Sequence, residues 1–374
     1  MLHQVCRRSP SPSWFIRFSA LIALLFLVDV QARAEAPTAP FPFQDGDRVA
    51  WIGSSSTKIG VWPRTLEFLI HTRHPELSIQ FKKFTTGGGT FATGLEHIDE
   101  WLGEFKPTLV FFNYGGNDAS GGDKGVPKFL ENMEQCVAKA RQTGARVVLV
   151  TPQAADVRKS GEAAAAKRQK YAELMILHGR ENGWHVVDTH HPLGAMQAGA
   201  QTDDPTYSML KDKIHLTDSA YIGWGYLLYD LLAPPAVESA ATISAGGRVL
   251  KTTHCQLLDV SSSDGVLAFT RADAVLPILP PIGLPPRRLV PMEAQSQYLL
   301  KVTELPPGKY ELTCEGQAIG TVEADALGRG INLNSLLLDA NQKAPWQTLA
   351  EQVWNGTELE QVGTTRWRFE IRKK

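Results

Sequence analysis

The feature that most limits how this chain folds is an alternation, running from Asp47 to about Leu232, of short apolar runs with segments of helical periodicity. Arg48–Ile52, Leu77–Phe84, Thr108–Asn113, Arg146–Thr151 and His185–Asp188 are the predicted strands. Between them, Leu66, Phe68, Leu69 and Ile70 mark one helix, and Leu95, Ile98, Trp101, Leu102 and Phe105 the next. Phe129, Leu130, Met133, Val137 and Ala140 mark a third, and Tyr171, Leu174, Met175 and His178 a fourth. Tyr221, Trp224, Leu227, Leu228 and Leu231 close the series. Strands joined through helices run parallel, and a parallel sheet needs helices over both faces. The expectation is a three-layer α/β/α domain over residues 46–235.

Ala233-Pro234-Pro235 ends that pattern. Beyond it come β-like runs, Val249–Leu258, Val266–Thr270, Tyr298–Val302 and Tyr310–Cys314, separated by turns such as Ser263-Asp264-Gly265 and Pro306-Pro307-Gly308. A Pro-rich stretch, Pro277–Pro291, interrupts them; a helical segment near Trp346–Val353 and a strand at Arg366–Ile371 finish the chain. Residues 236–374 read as a smaller β-rich accessory domain with a C-terminal helical segment and no catalytic constellation of its own. Two domains suit 374 residues.

The N-terminus carries a processing signal. Arg7, Arg8 and Arg17 precede an apolar run from Phe18 to Val28 that is shorter than the roughly 20 residues needed to cross a bilayer. Ala32-Arg33-Ala34 then puts small residues at positions −3 and −1 of a cleavage site. Residues 1–34 are therefore read as a secretory signal peptide and 35–45 as a Pro-rich lead-in. The protein is expected to be exported, periplasmic or secreted, with no membrane span after cleavage. The part beyond the signal keeps Cys136, Cys255 and Cys314, which allow at most one internal disulfide; Cys255 and Cys314 fall in the same region and are the candidate pair. A formal net charge of −1 gives no electrostatic reason to expect nucleic acid as a partner.

Ligands of an open parallel sheet bind beyond the carboxyl ends of its strands. Gly53-Ser54-Ser55-Ser56-Thr57 follows the first strand, Gly87-Gly88-Gly89-Thr90 the second, and Tyr114-Gly115-Gly116-Asn117-Asp118 the third. Asp212-Lys213-Ile214-His215 precedes the last helix. A serine opening a helix lies among free backbone N–H groups that can hold an oxyanion. Histidine moves protons near neutral pH, and an Asp three residues earlier can orient its ring. A glycine turn brings further backbone N–H groups close, and an asparagine amide adds a donor.

These four blocks in this order resemble the SGNH (GDSL-like) hydrolase superfamily, whose fold is flavodoxin-like. The likeness lies in Trp51–Thr57, Thr85–Thr90, Gly115–Asp118 and Asp212–His215, with Leu216-Thr217-Asp218 and Tyr221 typical of the last block. The resemblance implies Ser55 as nucleophile, His215 as general base and Asp212 as its orienting acid. It implies an oxyanion hole from the Ser55 and Gly88 N–H groups and the Asn117 amide. The layout is similar to exported bacterial esterases. Two positions depart from the family: Ser54 replaces the Asp of Gly-Asp-Ser, and three adjacent glycines leave the register of the second block open. Ser54, Gly87, Gly89, Asp118 and Gln153 are expected near the substrate by position, as are Trp62 and Gln197–Lys211.

Each block alone has an ordinary reading: Ser54–Ser56 as a helix cap, Gly87–Gly89 as a turn, Asn117-Asp118 as a turn, Asp212 with His215 as a surface pair. No Walker lysine follows the glycines and no Gly-x-Gly-x-x-Gly follows the first strand, so no nucleotide cofactor is expected. His190 and His191 beside Asp188 lack an evident third ligand, so no metal is expected and Asp188 reads as structural. The expected activity is hydrolysis of an ester carrying a short acyl group such as acetyl, on a small molecule or a carbohydrate. The alternative is a catalytically impaired SGNH-fold protein that binds carbohydrate; a lipase or thioesterase is a third, weaker reading.

Overall fold

Five strands, β1 (Arg48–Gly53), β2 (Gln80–Thr85), β3 (Leu109–Asn113), β4 (Arg146–Val150) and β5 (His185–Val187), form an all-parallel sheet in the order β2-β1-β3-β4-β5. This computed structural model describes residues 41–280, 295–338, 344–355 and 365–374. The proposed signal peptide and the Pro-rich stretch from residue 281 to Pro291 lie outside the described residues.

Period-two alternation divides the sheet's side chains between two cores. Val49 and Trp51 of β1, Leu109 and Phe111 of β3, and Val148 and Val150 of β4 face one way. Ala50, Ile52, Val110, Phe112, Val147 and Leu149 face the other. Helices α1 (Ser55–Ile59), α2 (Val61–Arg73), α3 (Phe91–Phe105), α4 (Gly122–Gln142), α5 (Val157–Ser160), α6 (Glu162–Glu181), α7 (His190–Asp203) and α8 (Asp218–Leu231) connect and cover the sheet. Trp62 of α2 lies between Trp51 and Trp224 of α8, with ring centroids 5.5 and 5.3 Å away, and all three are buried. Each such side chain contributes about 1.5–3 kcal/mol by leaving water.

Among the described residues nine further strands follow: β6 (Glu238–Ser244), β7 (Val249–Thr253), β8 (Cys255–Ser263), β9 (Val266–Asp273), β10 (Gln297–Thr303), β11 (Lys309–Cys314), β12 (Gln317–Glu323), β13 (Ile331–Asn332) and β14 (Thr365–Lys373). They form two sheets, β13-β10-β6-β7 and β12-β11-β14-β9-β8. The predicted run Val249–Leu258 is two strands, because His254 between them takes a left-handed backbone (φ 48°). This region packs on the α2 side of the first sheet. Phe68 meets Trp354 at 6.1 Å between centroids, and the Leu276 N–H donates to the Thr72 carbonyl at 2.7 Å.

The candidate disulfide is corrected. Cys136, Cys255 and Cys314 are all free thiols. Cys255 is on β8 and Cys314 on β11, with β9 and β14 between them. Three strand spacings amount to about 14 Å, against a limit near 7 Å between Cα atoms for a disulfide. Among the described residues, no helix is long and apolar enough to cross a membrane.

Candidate active site

Ser55 owes its position to the end of β1. A Cβ on Gly53 would stand 2.9 Å from the Asn113 carbonyl oxygen and 2.2 Å from Thr57 Oγ1, so only glycine allows this exit from the sheet. Ser54 is extended (φ −91°, ψ −155°) and caps α1 without a side-chain hydrogen bond; Ser55 is the helix's first residue. Its backbone N–H has no intrahelical acceptor. β1 and β3 are adjacent although the chain visits β2 between them, so Ser55 and Asn117 leave the sheet at its topological switch point.

The loop before α8 carries Asp212 and His215. Asp212 Oδ1 accepts the N–H groups of Ile214 and His215, both at 2.7 Å, and Oδ2 accepts from His215 Nδ1 at 2.9 Å. His215 Nε2 lies 3.0 Å from Ser55 Oγ. A proton on Nδ1, held by the carboxylate, leaves Nε2 as the acceptor for the serine hydroxyl. Burial pushes the Asp212 carboxyl up, but the His215 and Ile214 N–H groups and the His215 ring outweigh it and hold the group well below the usual carboxylate range.

Neighbouring segments fix this loop. Lys211 N–H donates to the His215 carbonyl at 2.9 Å and Thr217 N–H to the Met209 carbonyl at 2.8 Å. Ser160 Oγ donates to the Lys213 carbonyl at 2.7 Å, and Lys159 Nζ donates to the Leu210 carbonyl. Gln153, buried, donates from Nε2 to the Ile214 carbonyl at 3.1 Å and accepts from Ser56 Oγ at 3.4 Å. It therefore ties the serine helix to the histidine loop. Of the three serines, Ser56 is turned toward Gln153 and Ser55 toward His215.

The second and third blocks are joined by the Asn-Asp pair. Asp118 accepts from the Phe91 N–H at 3.1 Å and the Gly115 N–H at 2.9 Å, clamping the start of α3 to the turn after β3. Burial raises its carboxyl pKa despite these donors. Asn117 Nδ2 donates to the Gly89 carbonyl at 2.9 Å, which leaves its second amide hydrogen unassigned. Gly88 has φ 71°, and no heavy atom lies within 4 Å of where its Cβ would be. Glycine is required there by conformation. Gly89 is excluded from carrying a side chain by Thr86 Oγ1, 2.2 Å from its would-be Cβ, whereas Gly87 faces open space.

Two spaces with lining residues in common lie at this edge of the sheet, and Ser55 lines the narrow one. The narrow one, about 10 Å³, is lined by Ser54, Ser55, Ser56, Asn117 and Gln153 among others. It shares Gly116, Asn117, Arg168 and Ile214 with a wide cleft of about 900 Å³, where Gly88 also stands. A separate hollow of about 540 Å³ lies at the amino ends of β1, β3 and β4, the far end of the sheet from Ser55.

Some expected contacts are corrected. Trp62 is sealed in the core against Trp51 and Trp224, because α2 turns that face inward. Gln197 is buried in α7 and accepts the Met209 N–H at 3.2 Å, so it braces the loop from behind. The pair Asp188–His191 repeats the Asp212–His215 geometry, Oδ2 to Nδ1 at 2.7 Å, with no serine in hydrogen-bond contact. No group of three or more candidate metal ligands occurs among the described residues. The cleft residues Ser160, Glu162, Lys167 and Arg168 are not among those named from the sequence. The loop after β4 ends at the same sheet edge, and that topology was the available signal.

A parallel α/β sheet with a serine, a histidine and an aspartate hydrogen-bonded in series beyond its carboxyl edge is the arrangement of a serine hydrolase. Residues 52–221 match the GDSL-like Lipase/Acylhydrolase family, and the chain carries a hydrolase domain of that family with the SGNH fold. Among solved structures, a gut microbial diltiazem-metabolizing enzyme aligns over 90% of this chain and 99% of its own, at 19% identity and a TM-score of 0.76. That alignment extends beyond the family match, so the β-rich architecture recurs with the α/β sheet. An acetylxylan esterase from Geobacillus stearothermophilus aligns over 53% of this chain and 99% of its own, at 15% identity and a TM-score of 0.45. An α/β hydrolase from the metagenome of Lake Arreo, Spain, aligns over 52% and 100%, at 17% identity and a TM-score of 0.43. No curated protein matches the chain.

Proposed function

We propose that this protein is an exported serine esterase that removes a short acyl group, acetyl fitting best, from a polar alcohol such as a carbohydrate. The observation that carries the reading is the unbroken series from Ser55 Oγ to His215 Nε2 at 3.0 Å and from His215 Nδ1 to Asp212 at 2.9 Å. Ser55 attacks the ester carbonyl carbon while His215 takes its proton. Asp212 stays ionised and stabilises the imidazolium. Negative charge developing on the carbonyl oxygen is met by the Ser55 and Gly88 N–H groups and the free hydrogen of Asn117. The imidazolium gives its proton to the leaving alcohol, and water, activated by the same histidine, releases the acid from the acyl-enzyme.

The two spaces support the substrate class. About 10 Å³ at Ser55 is the room of a single water-sized group, which favours acetyl over long chains. The wide cleft, with Glu162, Lys167 and Lys213 on its walls, suits a hydroxyl-rich alcohol. Hydrolysis of para-nitrophenyl acetate, butyrate and octanoate tests this. Turnover should fall steeply with chain length and vanish in Ser55→Ala. A preference for octanoate would overturn the acyl assignment, and equal turnover in Ser55→Ala would overturn the mechanism. Binding of sugars without any turnover would favour the impaired, carbohydrate-binding alternative.

A further inference from the structure

Arg168, on α6, lines both the narrow space at Ser55 and the wide cleft. It is only 7% exposed, yet its Nε and Nη1 donors have no hydrogen-bond partner. No carboxylate of the described residues pairs with it. Burial alone lowers its pKa, with no neighbouring acid acting the other way. The titratable group it influences is His190, whose own pKa burial lowers and whose Nδ1 is 3.0 Å from the Pro152 carbonyl oxygen. A buried guanidinium without a counter-charge is costly, and native structures rarely leave one so. Among the described residues two other arginines are buried. Arg271 is fully partnered: its ion pair with Asp273, 2.9 Å away, is joined by bonds to Ser239 and the Leu299 carbonyl. Arg73 also has unpartnered Nε and Nη1 donors, but it bonds Ser296 and lies over the rings of Tyr226 and Tyr229 in the core, away from the cleft.

We propose that Arg168 is a subsite for an anionic group on the alcohol part of the ester, supplied by the substrate and completing the arginine's coordination. This deepens the esterase reading and rests on it. A planar guanidinium presents paired N–H donors that fit the two oxygens of a carboxylate, and a sulfate offers the same oxygen pair. The narrow space is too small for a charged acyl group, so the anion belongs to the alcohol in the wide cleft. Lys167 and Lys213, both exposed on the cleft wall, add charge of the same sign, against Glu162 alone. The substrate class is therefore an acetylated acidic sugar, a uronate or a sulfated residue, in preference to a neutral one.

The test compares monoacetyl esters of methyl glucoside, methyl glucuronoside and a sulfated methyl glucoside. Wild-type kcat/KM should favour an anionic ester over the neutral one by about ten- to a hundredfold, the worth of charge-assisted hydrogen bonds. In Arg168→Gln that ratio should fall to near one, with Arg168→Lys between. Preference for glucuronoside alone, or for the sulfate alone, identifies the oxygen source. Removing a buried unpaired charge should not lower Tm; a large drop in Tm together with loss on all three esters would make Arg168 structural and overturn the proposal. A second readout does not need turnover: binding of unesterified methyl glucuronoside, sulfated methyl glucoside and methyl glucoside to Ser55→Ala protein, with and without Arg168→Gln, by NMR titration. Selective anion binding that depends on Arg168 supports the subsite even if no ester is cleaved, which would then count against the esterase reading alone. No preference for either anion in binding overturns the subsite.

Discussion

Replacing Asp212 by Asn separates the fold of the histidine loop from its chemistry. Asn keeps a carbonyl oxygen that can accept the Ile214 and His215 N–H groups now held at 2.7 Å by Oδ1. Its amide, however, would face His215 Nδ1 as a donor. The ring would then accept at Nδ1 and carry its proton on Nε2, pointing a donor at Ser55 Oγ where an acceptor is needed. The variant also loses attraction between carboxylate and imidazolium. Unit charges 4 Å apart interact by about 1 kcal/mol in water and about 4 kcal/mol near a protein surface, and the Asp212 side chain, 50% exposed, lies between those limits. Tautomer and charge together should lower kcat by about a thousand- to ten-thousandfold. KM should change little and Tm by no more than a few degrees. Asp212→Ala, which removes the acceptor for both N–H groups, should lower Tm further.

The pH dependence follows from the same carboxylate. The folded-state pKa of Asp212 lies below its unfolded value, so its contribution is complete above the ordinary carboxylate range. It is lost only as pH falls through the lowered value, and no Asp212 titration should appear in the wild-type rate profile down to about pH 3. Steady-state kinetics with para-nitrophenyl acetate, followed beside thermal unfolding, reads every one of these outcomes. A loss of less than tenfold in folded Asp212→Asn would refute the assignment of tautomer and role.

Other outcomes are equally specific. Gly88→Ala must place a side chain at φ 71°, costing about 1–2 kcal/mol, and shifting its N–H should cut kcat by about a hundredfold. Gln153→Ala cuts the tie between Ser56 and the Ile214 carbonyl; kcat should fall about ten- to a hundredfold with KM nearly unchanged, the mark of a positioning residue. Asp273→Ala strips the buried Arg271 of its counter-ion and should cost about 3–5 kcal/mol in urea unfolding. Because the three described cysteines are free, adding a reductant should leave Tm unchanged. If residues 1–34 are cleaved on export, mass spectrometry of the exported protein should find Glu35 at its N-terminus.

How far the sequence carried differs from region to region. β1, β3 and β4 were legible because Trp51, Phe111 and Val148 alternate with Ile52, Phe112 and Leu149 in near-continuous apolar runs. β2, with Lys82 and Lys83 on a sheet edge, begins at Gln80 and not at the predicted Leu77. β6 was not, since the residues it buries include the small Ser239, Ala241 and Ser244, which give no strong stripe. α7 escaped notice because Pro192, Gly194 and Gly199 dilute its pattern. Ser55, Asp212 and His215 were singled out by the resemblance of their blocks to the SGNH superfamily; the alternation of strands and helices gave only their places at strand and helix ends. Trp62 was misplaced because the direction its indole turns depends on Trp224 of α8, far away in the chain. Arg168 was not singled out because nothing in the pattern of α6 marks the residue that meets the cleft.

The central claim is that Ser55 is activated by His215. A fluorophosphonate probe reacts only with a serine whose hydroxyl a nearby base activates, and mapping the labelled peptide by mass spectrometry reads the site directly. The account predicts one label, on Ser55, absent in folded His215→Ala. No label on the folded wild-type protein, or a label on Ser54 or Ser56, would contradict it.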